Sequence, residues 1–370
     1  MPISAVDAIP LAFQHTKRQL LQPFRFGQWM KLALVGFLAG EMGSSGGFNL
    51  PTNFNFPQTS GHPRHFLAGD FPQIDPALWG GAIVVLIVAG VVFGLLMMYL
   101  GSMMRFILFD AVLVKECRIR ESWSRHPAHG FRYFLFHLLY FATTIFVMVV
   151  LVGIPAGFAY AMGWFKQPSE HILPLVLGGI FIFLVMMVFF LAAAVILVLT
   201  KDFVVPQMAL DNIGVSEGWR RLWVMLKAEK GDYAAYIGMK IILAIGAGIV
   251  IGVATLILAL FIAVPALLFG ILAAVTGQSA GLTWNAYTIT IAVVVGCMLF
   301  AVFMYLISVI SVPVIVFFPA YSIYFFAARY RALSAALYPP QSSDPFVPPP
   351  MPIVPPEPPP VEPGFNPSFS

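Results

Sequence analysis

Residues 172–200 read ILPLVLGGIFIFLVMMVFFLAAAVILVLT, 29 residues without one charged side chain. A helix rises about 1.5 Å per residue, so such a run crosses a ~30 Å hydrocarbon core with residues to spare. Outward from it lie four more runs of the same kind: Leu78–Met104, Phe134–Phe165, Ala234–Val275 and Leu282–Ala328. From Ile241 to Ala328 there are 88 residues with no charge at all. The whole chain is 60% hydrophobic and 10% charged, against roughly 25% charged in an ordinary soluble domain. The fold class expected is all-α, a polytopic transmembrane helix bundle. Two cysteines in 370 residues exclude a disulfide scaffold, and a net charge of +4 spread along such a chain argues against nucleic acid as a partner.

The last two runs are overlong. Pro265, Pro313 and Pro319 are the expected bends, and neither run holds a polar turn long enough to make two crossings. A shorter run, Trp29–Met42, is ambiguous by length and is decided by charge. Of 20 Lys and Arg, 18 lie in residues 1–31, in the segments 105–133 and 201–240, or at Arg329 and Arg331. Only Arg64 and Lys166 fall elsewhere. Basic residues gather on the cytoplasmic side, so the short run must also cross. Six spans in the cell membrane follow, with both termini cytoplasmic.

The organisation expected is a cytoplasmic amphipathic segment, 1–28, a membrane domain, 29–338, and a Pro-rich disordered tail, 339–370. The membrane domain contains an external loop, 43–77, and inner loops 105–133 and 201–233. Ser4 to Asp7 has the form of a capping box, with Val6, Ile9, Phe13 and Leu20 along one face of the helix that follows. A weak repeat at an offset of 96 relates Arg105–Trp123 to Lys201–Trp219, each closing on Glu, a small residue and Trp. The N-terminal segment makes a degenerate third copy. Repeats without inversion are a known membrane architecture.

The stretch VVPQMALDNIGVSEGWRRLW, with Val205-Pro206 and Trp219-Arg220-Arg221, resembles the inner-loop signature of a loose superfamily of prokaryotic six-span membrane proteins. So does QPFRFGQWMKLALVGFLAG, with Pro23, Phe24, Gly27, Trp29 and Lys31, for the first span. That superfamily includes haloarchaeal and bacterial families of unknown function and the membrane domain of some glycerophosphodiester phosphodiesterases. The resemblance implies a fold and a location and no activity. The chain departs from the pattern at His126-Pro127-Ala128-His129, where a proline interrupts the expected helix.

The candidate lipid-interface residues are Trp219, Arg220, Arg221, Trp223, Trp29 and Lys31. A helix Ser216–Ala228, capped by Ser216 and stopped by Gly231, carries Trp219, Leu222, Trp223 and Leu226 as one apolar stripe. Such a helix lies in the inner interface with its Arg residues on anionic headgroups. Glu41, near the end of the first run, is read as a carboxylate at the outer headgroups, or else as a ligand. The pairs His62/His65 and His126/His129 lack the third and fourth ligands of a zinc site, so no metal, cofactor or catalytic residue is assigned. Four GxxxG spacings, Gly36/Gly40 among them, suit helix packing within the chain. Pro349, Pro352 and Pro355 give the tail a PxxP spacing open to a protein partner. The function expected is a non-enzymatic membrane scaffold or lipid-interacting protein. The alternative is a transporter or channel for a small neutral or lipid-like solute, its path lined by Thr143, Thr144, Ser308 and Ser311.

Overall fold

The structure is a computed structural model that describes residues 3–41, 76–166, 169–279 and 286–338. Most of the loop 43–77, with His62 and His65, and all of the tail 339–370 lie outside these residues. The described chain is helical throughout: α1 (Ala8–Leu21), α2 (Phe26–Leu38), α3 (Pro76–Leu113), α4 (Ile119–Arg125), α5 (Pro127–Ala161) and α6 (Ile172–Leu199). A π-turn (Thr200–Val204) leads into α7 (Val205–Asp211), followed by α8 (Val215–Ala228), α9 (Lys230–Ser279), α10 (Ala286–Ala327) and α11 (Arg331–Leu337). Five helical stretches are long and apolar enough to cross a membrane: Val84–Leu113, Pro127–Ala161, Ile172–Asp211, Lys230–Gly270 and Val293–Ala327. The sixth expected crossing coincides with α2, whose 13 residues reach only about 20 Å. Its expected end, Met42, lies beyond the described residues. α9 runs through Pro265, and α10 through Pro313 and Pro319, as single helices.

Packing is concentrated where these helices meet their short interfacial neighbours. Phe106, Ile107 and Val112 of α3, Phe203 and Val204 of the π-turn, Tyr233 and Tyr236 of α9, and Tyr321, Phe325 and Phe326 of α10 are all buried. Their rings interlock: Phe203 stands edge-on to Tyr233 at 5.3 Å, and Tyr236 stacks on Tyr321 at 5.1 Å. Away from this core the long helices present Leu, Val, Ile and Phe outward. Leu86, Phe146, Phe181, Ile249 and Phe261 are all more than half exposed. In water this surface would be untenable; against acyl chains it is what a spanning helix shows.

Helix α1 corrects the face expected for it. Val6 and Phe13 are exposed, while Ala8, Ala12, His15, Thr16, Gln19 and Leu20 are buried against α3 and α10. Small residues let the backbones approach, and polar ones take up carbonyls at the helix ends. Gln19 Nε2 donates to Ala111 O at 2.8 Å. His15 Nε2 meets Val112 O at 2.9 Å, and its Nδ1 meets the Tyr324 hydroxyl at 3.1 Å. Burial, with Lys115 nearby, holds the His15 pKa below its usual value, so the neutral ring belongs to the folded state. Ser4 accepts from the Asp7 amide at 3.2 Å and donates to its carboxylate at 2.6 Å, a local cap ahead of α1.

The repeat reappears in backbone geometry. Among the described residues only Lys115 (φ 63°) and Asn212 (φ 56°) are non-glycine residues with positive φ. Lys115 follows the end of α3 by two residues and Asn212 follows α7 directly, one position off the offset of 96, and α4 and α8 then begin at Ile119 and Val215, 96 residues apart. The small residue before each Trp is buried, Ser122 in one copy and Gly218 in the other. A Cβ on Gly218 would stand 2.7 Å from Val204 Cγ1. The copies diverge in length, since α4 has 7 residues and α8 has 14.

Among the glycine pairs, Gly36 packs against Ile315, where a Cβ would lie 2.5 Å away. Gly40, Gly90, Gly94, Gly157 and Gly252 have nothing within 4 Å of a built Cβ, so among the described residues the packing expected of them is not made.

Candidate functional site: a buried charge cluster

Glu41 sits one turn past α2 and is 3% exposed at its side chain. It is not the outer carboxylate expected from its position. Its Oε1 accepts from Arg105 Nη1 at 2.9 Å, and its Oε2 accepts from the Lys201 ammonium. Arg105 Nη2 also donates to Ala39 O at 2.6 Å, closing the C-terminal end of α2 onto α3. A basic residue at the end of a span, as Arg105 is, can snorkel to the headgroups. Instead, side chains at matching positions of the two repeats converge on one carboxylate.

Beside Lys201 the π-turn supplies Asp202, which is 2% exposed. Its Oδ2 accepts from the Tyr236 hydroxyl at 2.9 Å and from the Lys240 ammonium, both on α9. π-turns recur at functional sites. Here the widened turn lets two consecutive residues serve opposite-charge partners on different elements. The turn is fastened from outside by Trp219, whose Nε1 donates to Thr200 Oγ1 at 3.1 Å. A cleft of about 30 Å³ adjoins the cluster, bounded by Glu41, Arg105, Lys201, Asp202, Pro206 and Pro319. That is room for about one water molecule.

Two further constellations tie the same end together. His126 Nε2 meets Asp110 at 3.1 Å, and His129 Nε2 meets Asn212 Oδ1 at 2.7 Å, joining α5 to α3 and to the turn after α7. Pro127 opens α5 instead of interrupting it, because a first-turn residue needs no N–H partner. No group of three or more His, Cys, Asp or Glu among the described residues is placed to hold a metal ion. Arg329, 4% exposed at its side chain, donates to Glu229 at 2.5 Å, Asp232 at 2.7 Å and Ile3 O at 3.0 Å, and lies over the Phe325 ring.

The lipid-interface candidates divide. Trp219 is half-buried in the hydrogen bond above, and Trp29 donates to Val309 O at 2.8 Å beside Phe24. Both brace the fold. Arg221 bridges Asp211 at 2.6 Å and Glu217 at 3.2 Å, so it belongs to the α7–α8 corner. Trp223 is 55% exposed with Lys227 over its ring, and Arg220 is 78% exposed with Glu217 at 2.6 Å. Lys31 is exposed on α2. The buried face of α8 is therefore Gly218 and Leu222, and the stripe expected to include Trp223 is split. The helix begins at Val215 with Gly214 as an extended N-cap; Ser216 is inside it, and Gly231 belongs to the first turn of α9. The polar residues offered as a path mostly bond carbonyls. Thr144 donates to Tyr140 O, Ser311 to Ile307 O and Ser308 to Ala33 O.

Residues 3–336 match the model of a family of unknown function, DUF7544. The chain belongs to that family. The match runs from the N-terminal cap into α11, so α1, α2 and the charge cluster are all part of the shared unit. No curated protein matches the chain, and no solved structure does.

Proposed function

We propose that this chain is a non-enzymatic cell-membrane protein with six crossings and both termini cytoplasmic, acting as a scaffold that engages lipid through its inner-face helices. The observation that carries the reading is the contrast between interior and surface. The charged interior is committed to internal pairs around a water-sized cleft, while the apolar outer surface and the exposed Arg220, Trp223 and Lys227 of α8 face outward. A transporter for a lipid-like solute is the second reading, and Thr144, Ser308 and Ser311, three of the four polar side chains that would line its path, are engaged with helix carbonyls. The motif-level likeness to six-span membrane domains agrees with the proposed placement.

Topology follows from the charge partition. Reporter fusions after Ala128 and Glu229 are expected to read cytoplasmic, and fusions after Gly163 and Gln278 external. An external signal after Glu229 would refute it.

The lipid role rests on α8. Each basic residue near an anionic leaflet is worth about 1 kcal/mol. Arg220→Gln with Lys227→Gln is therefore expected to keep the fold and lower the co-purifying anionic lipid several-fold, measured by mass spectrometry. Arg221→Gln should instead loosen the corner with Asp211. An unchanged lipid complement in the double variant would reduce α8 to a structural element.

A further inference from the structure

Helix α1 is inside out. A helix between a protein core and water buries its apolar side and shows its polar one. Here His15, Thr16 and Gln19 are buried, while Val6, Phe13 and Leu21 are each more than half exposed. With Pro10 and Lys17, both exposed, they recur at steps of three and four residues and form one stripe down the outward face. Arg18 is exposed beside Lys17 near the end of that stripe. Past Leu21 the exposed rings of Phe24 and Phe26 carry the apolar surface on to Leu34 and Phe37 of α2. The acidic residue of this segment, Asp7, takes the Ser4 hydroxyl.

The buried face fixes the depth at which this stripe sits. Gln19 and His15 hold the carbonyls of Ala111 and Val112 in the last turn of α3, and His15 also meets the Tyr324 hydroxyl near the end of α10. The Tyr321 hydroxyl donates to Ala5 O at 3.1 Å. The apolar part of α3, Val84–Leu113, has 30 residues and a length of about 45 Å, that of a bilayer with its headgroups. Its last turn therefore lies among headgroups, and α1 lies beside it. At that depth, an outward stripe of Val, Phe and Leu with two cations near its end is what an interfacial helix presents to lipid.

We propose that the outward face of α1 is a membrane-surface site for anionic phospholipid: Val6, Phe13 and Leu21 enter the acyl boundary, and Lys17 and Arg18 take the phosphates. The polar contacts of the buried face pin the helix at the ends of two spans, so the site is built before lipid arrives. It adds a second surface to the lipid role given to α8, and the two fail separately.

The test uses the full-length protein, with Cys117→Ala and Cys297→Ala, in mixed phosphatidylcholine and phosphatidylglycerol bilayers. A nitroxide on Phe13→Cys or, separately, on Leu21→Cys is expected to be relaxed by oxygen, which concentrates in lipid, more than by a water-soluble nickel chelate. The same label on Arg120→Cys, exposed on the charged helix α4, is the water-facing reference. In the chain with its own cysteines, Lys17→Gln with Arg18→Gln is expected to lower the bound phosphatidylglycerol several-fold while Arg220 and Lys227 stay in place. A nickel response at Phe13 and Leu21 like that at Arg120 would overturn the proposal. So would labels that neither reagent reaches, which would put a protein surface there, a second copy of the chain included. An unchanged phosphatidylglycerol complement in the Lys17 and Arg18 variant would overturn it as well. Lipid lost only from the α8 variant would leave the α8 reading standing and refute this one; lipid lost only from the α1 variant would do the reverse.

Discussion

Glu41→Gln is expected to cause the largest loss of stability of any single substitution in the chain. The carboxylate is buried and holds Arg105 at 2.9 Å together with the Lys201 ammonium. Removing its charge breaks the ion pairs it makes with two buried cations. Breaking a buried pair by deleting one partner costs about 3–5 kcal/mol, and here two pairs break at once. A chain of ordinary stability, roughly 5–15 kcal/mol, would lose a large share of it. The expected result is a sharp fall in folded yield after detergent extraction and a thermal midpoint at least 10 °C lower, on the scale of about 2–4 °C per kcal/mol. Replacing all three partners by Leu removes the charges along with the pairs and should recover most of that loss, as buried ion triads tolerate apolar replacement. If Glu41→Gln unfolds at the wild-type temperature, the carboxylate is not the clamp described here. A triple variant less stable than the single one would mean that packing at this point does not tolerate Leu.

Much of the helical frame was legible because membrane helices advertise themselves in windows of about 20 residues. Ile172–Leu199 begins and ends within a residue of its expected bounds. Two runs grew beyond theirs at both ends, Lys230–Ser279 and Pro76–Leu113, and the latter, α3, continues nine residues past Met104 as a packed, mostly buried segment with Arg105 and Asp110 inside it. Charge was the misleading cue there. A basic residue at the end of an apolar run satisfies the snorkelling rule, and nothing in the run itself tells a solvated end from a buried pair. Glu41 is 64 residues from Arg105 and 160 from Lys201, beyond the reach of any local pattern. One signal did exist. Arg105 and Lys201 occupy the same register of the repeat, and a lone carboxylate ends the short apolar run. Joined, those two facts would have named the site. The face of α1 was misread for a different reason: in a membrane protein the exposed side can be the more apolar one, so Phe13 points out while His15 and Gln19 are buried.

The second large effect is expected at Asp202, where the arithmetic differs. Asp202 serves one cation, Lys240, and one phenol, Tyr236, which donates at 2.9 Å. Asp202→Asn keeps a hydrogen-bond acceptor for Tyr236 but leaves Lys240, 10% exposed at its side chain, without its counter-charge among the aromatic rings of Tyr236 and Phe318. The loss expected is again about 3–5 kcal/mol, read as a lower thermal midpoint and a smaller folded fraction. Because this pair is one to one, its double replacement is the informative comparison. Asp202→Leu with Lys240→Leu removes equal and opposite charges and strands only the Tyr236 hydroxyl. That hydroxyl costs about 1–3 kcal/mol when unsatisfied, so the double variant should be more stable than Asp202→Asn. A double variant as unstable as the single one would mean that Asp202 acts by shaping the π-turn backbone, and not through the charge it places there.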